Sequence, residues 1–119
     1  MAADLANNTP VGPASEAGQH LGPVVSVAPF HKIPGLIEVG MSEARLVAGG
    51  LGRPDGLNRG YYVKPTVFAD VTNDMRIAQE EVFGPVLSII GFDDEEEAIR
   101  LGNDVIYGLA AGVWTQNIG

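Results

Sequence analysis

The 119-residue sequence contains no cysteine, few basic residues and no long hydrophobic run. Without cysteine the chain cannot form a disulfide, a thiolate metal site or a cysteine nucleophile. No apolar run approaches the roughly 20 residues that span a membrane. Residues 1–5 also lack the basic start and apolar stretch of a signal peptide. We therefore expect a cytoplasmic protein that makes no membrane contact.

Basic side chains are outnumbered by acidic ones. Seven Lys and Arg against fifteen Asp and Glu give a formal net charge of −8, and the bases are scattered from Lys32 to Arg100 without a cluster. Such a surface repels nucleic acid and anionic lipids. The two histidines, His20 and His31, have no neighbouring metal-ligand pattern, and no serine lies in a nucleophile motif. The sequence therefore predicts no nucleic-acid partner, no metal site and no catalytic residue.

Glycine and proline divide the chain into an arm and a domain. Residues 1–23 are rich in turn-forming pairs and poor in large apolar side chains, so we expect an extended, loop-like arm there and one folded domain over 24–119. From Ser26 to Met41, apolar residues recur at helical spacing, which predicts an amphipathic helix capped by Ser26. Pro34 interrupts this pattern, and we expect a kink or a late helix start at that residue.

Strand-forming segments follow the predicted helix. Arg45–Ala48 predicts a short strand, and residues 61–63 and 66–68, separated by Lys64-Pro65, predict an edge strand or two short ones. Val86–Ile90 predicts a buried strand.

The last third of the chain predicts a β-α-β unit near residues 86–114. Asp94 and Glu97 have the spacing of a capping box at the start of a helix. Another strand is expected over Leu109–Trp114, with right-handed connection and parallel pairing. The pattern is typical of the α/β fold class.

Two adjacent carboxylates, Glu80 and Glu81, run into a corner formed by Phe83, Gly84 and Pro85. Glycine reaches backbone angles closed to other residues and proline restricts φ, so the chain turns sharply and holds Glu81 and Phe83 in one place. A carboxylate beside an aromatic face suits a ribose and its attached ring. The same residues are also typical of a solvated helix end followed by a core phenylalanine.

Four motifs, in this order, resemble the NAD(P)-dependent aldehyde dehydrogenase superfamily. They are LGPVVS (21–26), GYYVKPTVF (60–68), QEEVFGPV (79–86) and YGLA (107–110), the last preceded by Asn103-Asp104. The resemblance implies that residues 24–119 are part of a three-layer α/β/α catalytic domain. It also implies that the chain runs from after the family's catalytic cysteine to before its C-terminal oligomerisation segment.

The resemblance implies roles for three residues in binding NAD or NADP. Glu81 matches the family glutamate that binds the hydroxyls of the nicotinamide ribose, and Phe83 matches the phenylalanine packed beside that ribose. Lys32 matches a position near the adenine-side ribose. The family oxidises an aldehyde to a carboxylic acid through a cysteine thioester, and its nucleophile, base and dinucleotide-binding domain all precede the matching region.

Two functions follow as hypotheses. The chain is part of an aldehyde dehydrogenase and inactive alone, with the aldehyde as substrate of the complete enzyme. Alternatively, it is a non-catalytic binding or interaction module that retains the fold, or one piece of a split enzyme. Unpaired strand edges and apolar faces predict self-association or pairing with a complementary enzyme segment.

Overall fold

The computed structural model describes residues 1–117, apart from the side chain of Pro29. In that range the chain forms four α-helices and three β-strands. In chain order they are α1 (Ala2–Asn8), α2 (Val27–Glu43), β1 (Arg45–Ala48), β2 (Thr66–Ala69), α3 (Arg76–Gln79), β3 (Val86–Ser88) and α4 (Glu95–Asn103). The predicted α/β fold class is confirmed.

The three strands form one sheet in the order β1-β2-β3. β1 pairs with β2 in antiparallel orientation, with a register shift between Leu46 and Ala48. β2 pairs with β3 in parallel, so that Thr66 lies opposite Val86. The short strand predicted at 66–68 forms, as Thr66–Ala69, but its predicted position at the sheet edge is wrong, because β2 is central and Phe68 is fully buried. Residues 61–63 form no strand.

Helix α2 starts where the sequence predicts, with Ser26 at the N-cap position, although the Ser26 side chain makes no capping hydrogen bond. The helix then continues through Pro34, so the expected late start at that residue is wrong. Three side chains of α2 are almost wholly buried: Ile33, Leu36 and Ile37. Burying each contributes about 1.5–3 kcal/mol, which together exceeds the roughly 3 kcal/mol that an interior proline costs.

The hydrophobic core lies between α2, the sheet and α3. Its buried members are Ile33, Ile37, Val63, Phe68, Val71 and Ile77. Gly40 lets α2 approach the sheet closely, since a Cβ there would lie 2.7 Å from Cζ of Phe68.

Residues 1–23 are not wholly extended, which corrects the prediction of a loop-like arm. Helix α1 forms because alanine and leucine favour helix, and because Asp4 pairs with the terminal amine at 2.7 Å. The helix lies against β1 and β2. Between Pro10 and Ser26 the regular pairing is an isolated bridge that joins Val11 to Leu21. The division into an arm and a domain stays a prediction.

Helix α4 begins with the predicted capping box. The Asp94 carboxylate accepts a hydrogen bond from the Glu97 backbone N–H at 2.8 Å, and the Glu97 carboxylate accepts one from the Asp93 N–H at 2.9 Å. Two acceptors thereby satisfy backbone donors at the helix start.

The β-α-β unit predicted near residues 86–114 is wrong in its second strand. Residues 109–114 form no strand, and Leu109 and Trp114 are 93% and 99% exposed. A strand needs a hydrogen-bonding neighbour, and within residues 1–117 none lies beside this segment. The parallel pairing of the sheet occurs earlier in the chain, between β2 and β3. β3 is also shorter and more exposed than predicted, with half of Leu87 accessible.

None of the helices in residues 1–117 combines the length and the hydropathy needed to cross a membrane.

Candidate functional site

Residues 80–85, hereafter the corner, connect α3 to β3. Phe83 has a φ of +58°, a left-handed conformation that is rare for an aromatic residue, and its side chain is 63% exposed. A non-glycine residue held at such angles stores roughly 1–2 kcal/mol of strain. The corner therefore presents an aromatic ring to solvent at an energetic cost.

Gly84 does not carry the unusual backbone angle that the sequence suggested for it. Phe83 takes the positive φ, and Gly84 is needed for space. A Cβ at Gly84 would lie 2.7 Å from Cδ1 of Ile33, a fully buried side chain of α2. This close contact seats the corner on α2.

The two carboxylates of the corner, Glu80 and Glu81, differ in their contacts. Glu80 accepts hydrogen bonds from the Arg76 guanidinium, one turn earlier. This bond, with the charges of Arg76 and Lys32, lowers the pKa of Glu80 below its ordinary value. Glu81 is exposed and has no hydrogen bond or ion pair within the described residues. The Glu80 carboxylate is therefore already paired within the protein, whereas the Glu81 carboxylate has free capacity to accept hydrogen bonds.

Lys32 lies on the exposed side of α2, one residue before Ile33. Its charge contributes to lowering the pKa of Glu80, after the larger effect of the Arg76 hydrogen bond. The structure thus places Lys32 in the neighbourhood of the corner, although the two segments are about fifty residues apart in sequence.

An open groove of about 370 Å³ lies beside the corner. It is lined by Val24, Val25, Phe83 and Gly84. A backbone hydrogen bond fixes the position of Val24, since its N–H donates to the Tyr61 carbonyl at 2.9 Å. Sequence reasoning assigned no role to the two valines, although both belong to the motif LGPVVS. One feature of the sequence could have indicated them: two apolar residues follow Gly22-Pro23 in a stretch that is otherwise loop-like.

The chemistry that these groups offer is binding. A carboxylate accepts two hydrogen bonds, as the vicinal hydroxyls of a ribose require, and the Phe83 ring and the groove supply apolar contact for an attached ring. Lys32 adds a positive charge. Among residues 1–117 no group of three His, Asp or Glu side chains is placed to hold a metal ion. The residues present therefore fit a ribose with an attached ring.

The fold and the corner together define a partial α/β domain that exposes a carboxylate and an aromatic ring side by side in the chain, at Glu81 and Phe83. The profile described as "Aldehyde dehydrogenase family" matches residues 1–119. The chain belongs to the aldehyde dehydrogenase family, whose members oxidise aldehydes with NAD(P). The family resemblance predicted from the motifs is confirmed.

Individual relatives agree with this assignment. A putative aldehyde dehydrogenase of Staphylococcus saprophyticus is 47% identical over 105 residues, which are 87% of this chain and 22% of that protein. The 5-carboxymethyl-2-hydroxymuconate semialdehyde dehydrogenase of Escherichia coli is 45% identical over 121 residues, 98% of this chain and 26% of its own length.

A solved structure shows the same fold. The Mycobacterium tuberculosis aldehyde dehydrogenase complexed with NAD+ superposes with a TM-score of 0.91 at 51% identity, over 97% of this chain and 24% of that one. The chain thus spans about a quarter of the length of the relatives it matches.

Proposed function

We propose that this chain supplies the nicotinamide-ribose part of the cofactor site of an NAD(P)-dependent aldehyde dehydrogenase and is catalytically incomplete alone. The observation that carries the proposal is the contrast at the corner. Glu80 is paired with Arg76, whereas Glu81 is open and Phe83 is exposed in a strained conformation. Strain of this kind is typical of functional positions.

Each residue has a distinct part in the proposal. The Glu81 carboxylate accepts hydrogen bonds from the ribose hydroxyls, and the Phe83 ring packs beside the sugar. The groove beside Val24 and Val25 covers the apolar side of the attached ring. The Lys32 ammonium donates a hydrogen bond to a hydroxyl of the adenine-side ribose. When bound, NAD(P) supplies the hydride acceptor.

The chain contributes binding groups and no nucleophile. A thioester requires a thiolate, and the sequence contains no cysteine. Aldehyde oxidation therefore requires a further segment that brings a nucleophile and a base to the corner. We accordingly assign the aldehyde as substrate to the completed enzyme. The cytoplasmic location expected from the sequence stays a prediction.

A titration with nicotinamide mononucleotide, followed by NMR, tests the proposal. We expect chemical-shift changes at residues 24–25 and 81–84 at about millimolar ligand, since few contacts oppose the loss of translational freedom. Glu81→Gln and Phe83→Ala should each weaken binding several-fold. Glu38→Gln, an exposed carboxylate of α2 with no partner in the described residues, is the control and should leave binding unchanged.

Binding that is insensitive to both corner substitutions would contradict the proposal. Shift changes confined to a different surface would do so as well.

A second candidate, one piece of a split enzyme or an interaction module, is favoured by a different observation. Residues 106–114 expose a run of large apolar side chains: Ile106, Leu109, Val113 and Trp114. An adjacent reading frame that encodes a cysteine-bearing dehydrogenase segment would support the split enzyme. Mixing that segment with this chain should then restore aldehyde oxidation. An unrelated neighbouring operon and no recovered activity would favour the interaction module.

A further inference from the structure

Gln79, the last residue of α3, uses both N–H donors of its side-chain amide. Its Nε2 donates to the Asn73 carbonyl at 2.6 Å and to the Asp104 carbonyl at 3.0 Å. A primary amide has two donors, so its capacity to donate is fully used. The second bond joins segments 25 residues apart.

A third hydrogen bond closes this arrangement. The Asn73 side-chain amide donates to the Asp104 carboxylate at 2.8 Å, across 31 residues of sequence. The three residues Asn73, Gln79 and Asp104, hereafter the polar latch, join the turn before α3, the end of α3 and the C-cap of α4.

The polar latch is a principal attachment of α4 to the rest of the protein. Helix α4 buries none of its residues, and Ile99 on its apolar side is 57% exposed. Among the described residues, none of α4 packs against the core cluster. With so little apolar contact, the docking of α4 depends on polar contacts such as these three.

Helix α3 is held at both ends. At its start, the Arg76 backbone N–H donates to the Glu43 carboxylate, so the end of α2 anchors it. At its end, Gln79 is anchored to Asp104, two residues before Glu81. The backbone therefore connects the latch residue Gln79 directly to the corner.

We infer that Gln79 is a positioning residue that couples the docking of α4 to the conformation of the corner. When the latch is closed, the end of α3 is fixed and the left-handed turn at Phe83 is held. When it opens, α4 and the corner loosen together. The consequence for the cofactor rests on the proposed function of Glu81 and Phe83, whereas the coupling itself does not.

Amide hydrogen exchange of the full chain tests the coupling. Gln79→Ala removes two hydrogen bonds and should raise exchange about tenfold in α4 and at residues 81–84, with the amides of β2 unchanged. Asn103→Ala is the matched control, because it removes a side-chain amide bond, to the Ile99 carbonyl, wholly within α4. The control should leave the corner unchanged.

Each other pattern of exchange overturns the inference. Faster exchange in α4 alone would show that the corner is independent of the latch, and a uniform rise that includes β2 would show a purely global effect. If Gln79→Ala does not fold, Asn73→Ala decides. It removes one bond of the latch, so a rise of about threefold in α4 and at the corner supports the coupling, and no change refutes it.

Ligand binding separates this inference from the proposed function. In Gln79→Ala, nicotinamide mononucleotide should bind several-fold more weakly while the exchange of β2 stays unchanged, a result that a general loss of stability would not give. If the wild-type chain shows the expected coupling but no corner-dependent binding, the proposed function fails and the latch stands. If binding depends on Glu81 but Gln79→Ala changes neither exchange nor affinity, the latch fails alone.

Discussion

Gly84 lies directly against Ile33, so closely that a Cβ on the glycine would sit 2.7 Å from Cδ1 of the isoleucine. Ile33 belongs to α2, and Gly84 follows the residue with the left-handed turn. This contact seats a strained, solvent-facing turn on the most buried face of the main helix. It explains why the corner keeps its shape without burying Phe83.

Replacing Gly84 by alanine should destabilise the chain by about 1–3 kcal/mol, because the added methyl overpacks a fully buried side chain. Denaturant unfolding measures the change. Ile33→Val removes the atom in conflict, so the double variant should lose less than the sum of the single losses. Gly35→Ala, in open space on α2, is the control and should stabilise by about 0.5–1 kcal/mol. A Gly84→Ala variant as stable as the wild type would rule out the packing argument.

Acid should remove the stabilising effect of Glu80. The Arg76 hydrogen bond lowers the pKa of Glu80 in the folded chain below its ordinary value of 4.5. The ionised carboxylate therefore stabilises the fold above pH 4.5, and this contribution is lost as the pH falls through the lowered pKa. The difference in unfolding free energy between wild type and Glu80→Gln should be small at pH 7, since the pair is exposed, and should vanish in acid.

The partner of Glu80 provides the control. In an Arg76→Gln background, Glu80→Gln should no longer change stability in a pH-dependent way. A difference of the same size with and without Arg76 would show that this ion pair is not its source.

Pro34→Gln should stabilise the protein by about 1–2 kcal/mol. Helix α2 already continues through this position, and glutamine restores an N–H that can donate to the Phe30 carbonyl. The greater freedom of the unfolded variant offsets part of the gain. The midpoint of denaturant unfolding should rise at constant slope. An unchanged or lower midpoint would mean that the helix is bent at this point by packing and gains nothing from the added donor.

The chain should self-associate as its concentration rises. Leu109 and Trp114 are almost fully exposed, and the outer edge of β3 has no partner strand within the described residues. Light scattering should show oligomers, and a dye that reports apolar surface should bind. Leu109→Ser combined with Trp114→Gln should shift the protein toward monomer. A wild-type chain that stays monomeric at high concentration and binds no dye is the opposing result.

The purified chain should not oxidise aldehydes. It contains no thiolate to form the thioester, and under the proposed function the corner contacts only the nicotinamide half of the cofactor. NAD should bind no more tightly than about millimolar. Reduction of NAD with any simple aldehyde, or micromolar binding that Glu81→Gln abolishes, would point to a complete site.

Features set by short-range contacts were predictable from the sequence. The capping box of Asp94 and Glu97, the bounds of β1 and the start of α2 after Ser26 depend on residues within one or two turns of each other. The same holds for the pairing of Arg76 with Glu80, one helical turn apart. Their spacing alone specifies the contacts.

Predictions that depended on distant neighbours were wrong. Lys64-Pro65, just before residues 66–68, suggested an edge strand. In the structure β1 pairs with one side of β2 and β3 with the other, so β2 is central. Leu109–Trp114 has strand-forming residues, yet a ladder requires a second strand that lies beside it. Pro34 suggested a late helix start, but α2 begins at Val27, because the burial of neighbouring side chains outweighs the lost hydrogen bond.

The sequence by itself determined the family and the absence of cysteine, because each depends on which side chains occur and in what order. Only the tertiary structure decided which contacts and which backbone conformation each corner residue has. It assigned Glu80 to Arg76, left Glu81 open, moved the left-handed turn to Phe83 and placed Gly84 against Ile33. The physical reason is that backbone strain and close packing depend on segments that meet in space, and the sequence does not state which segments meet.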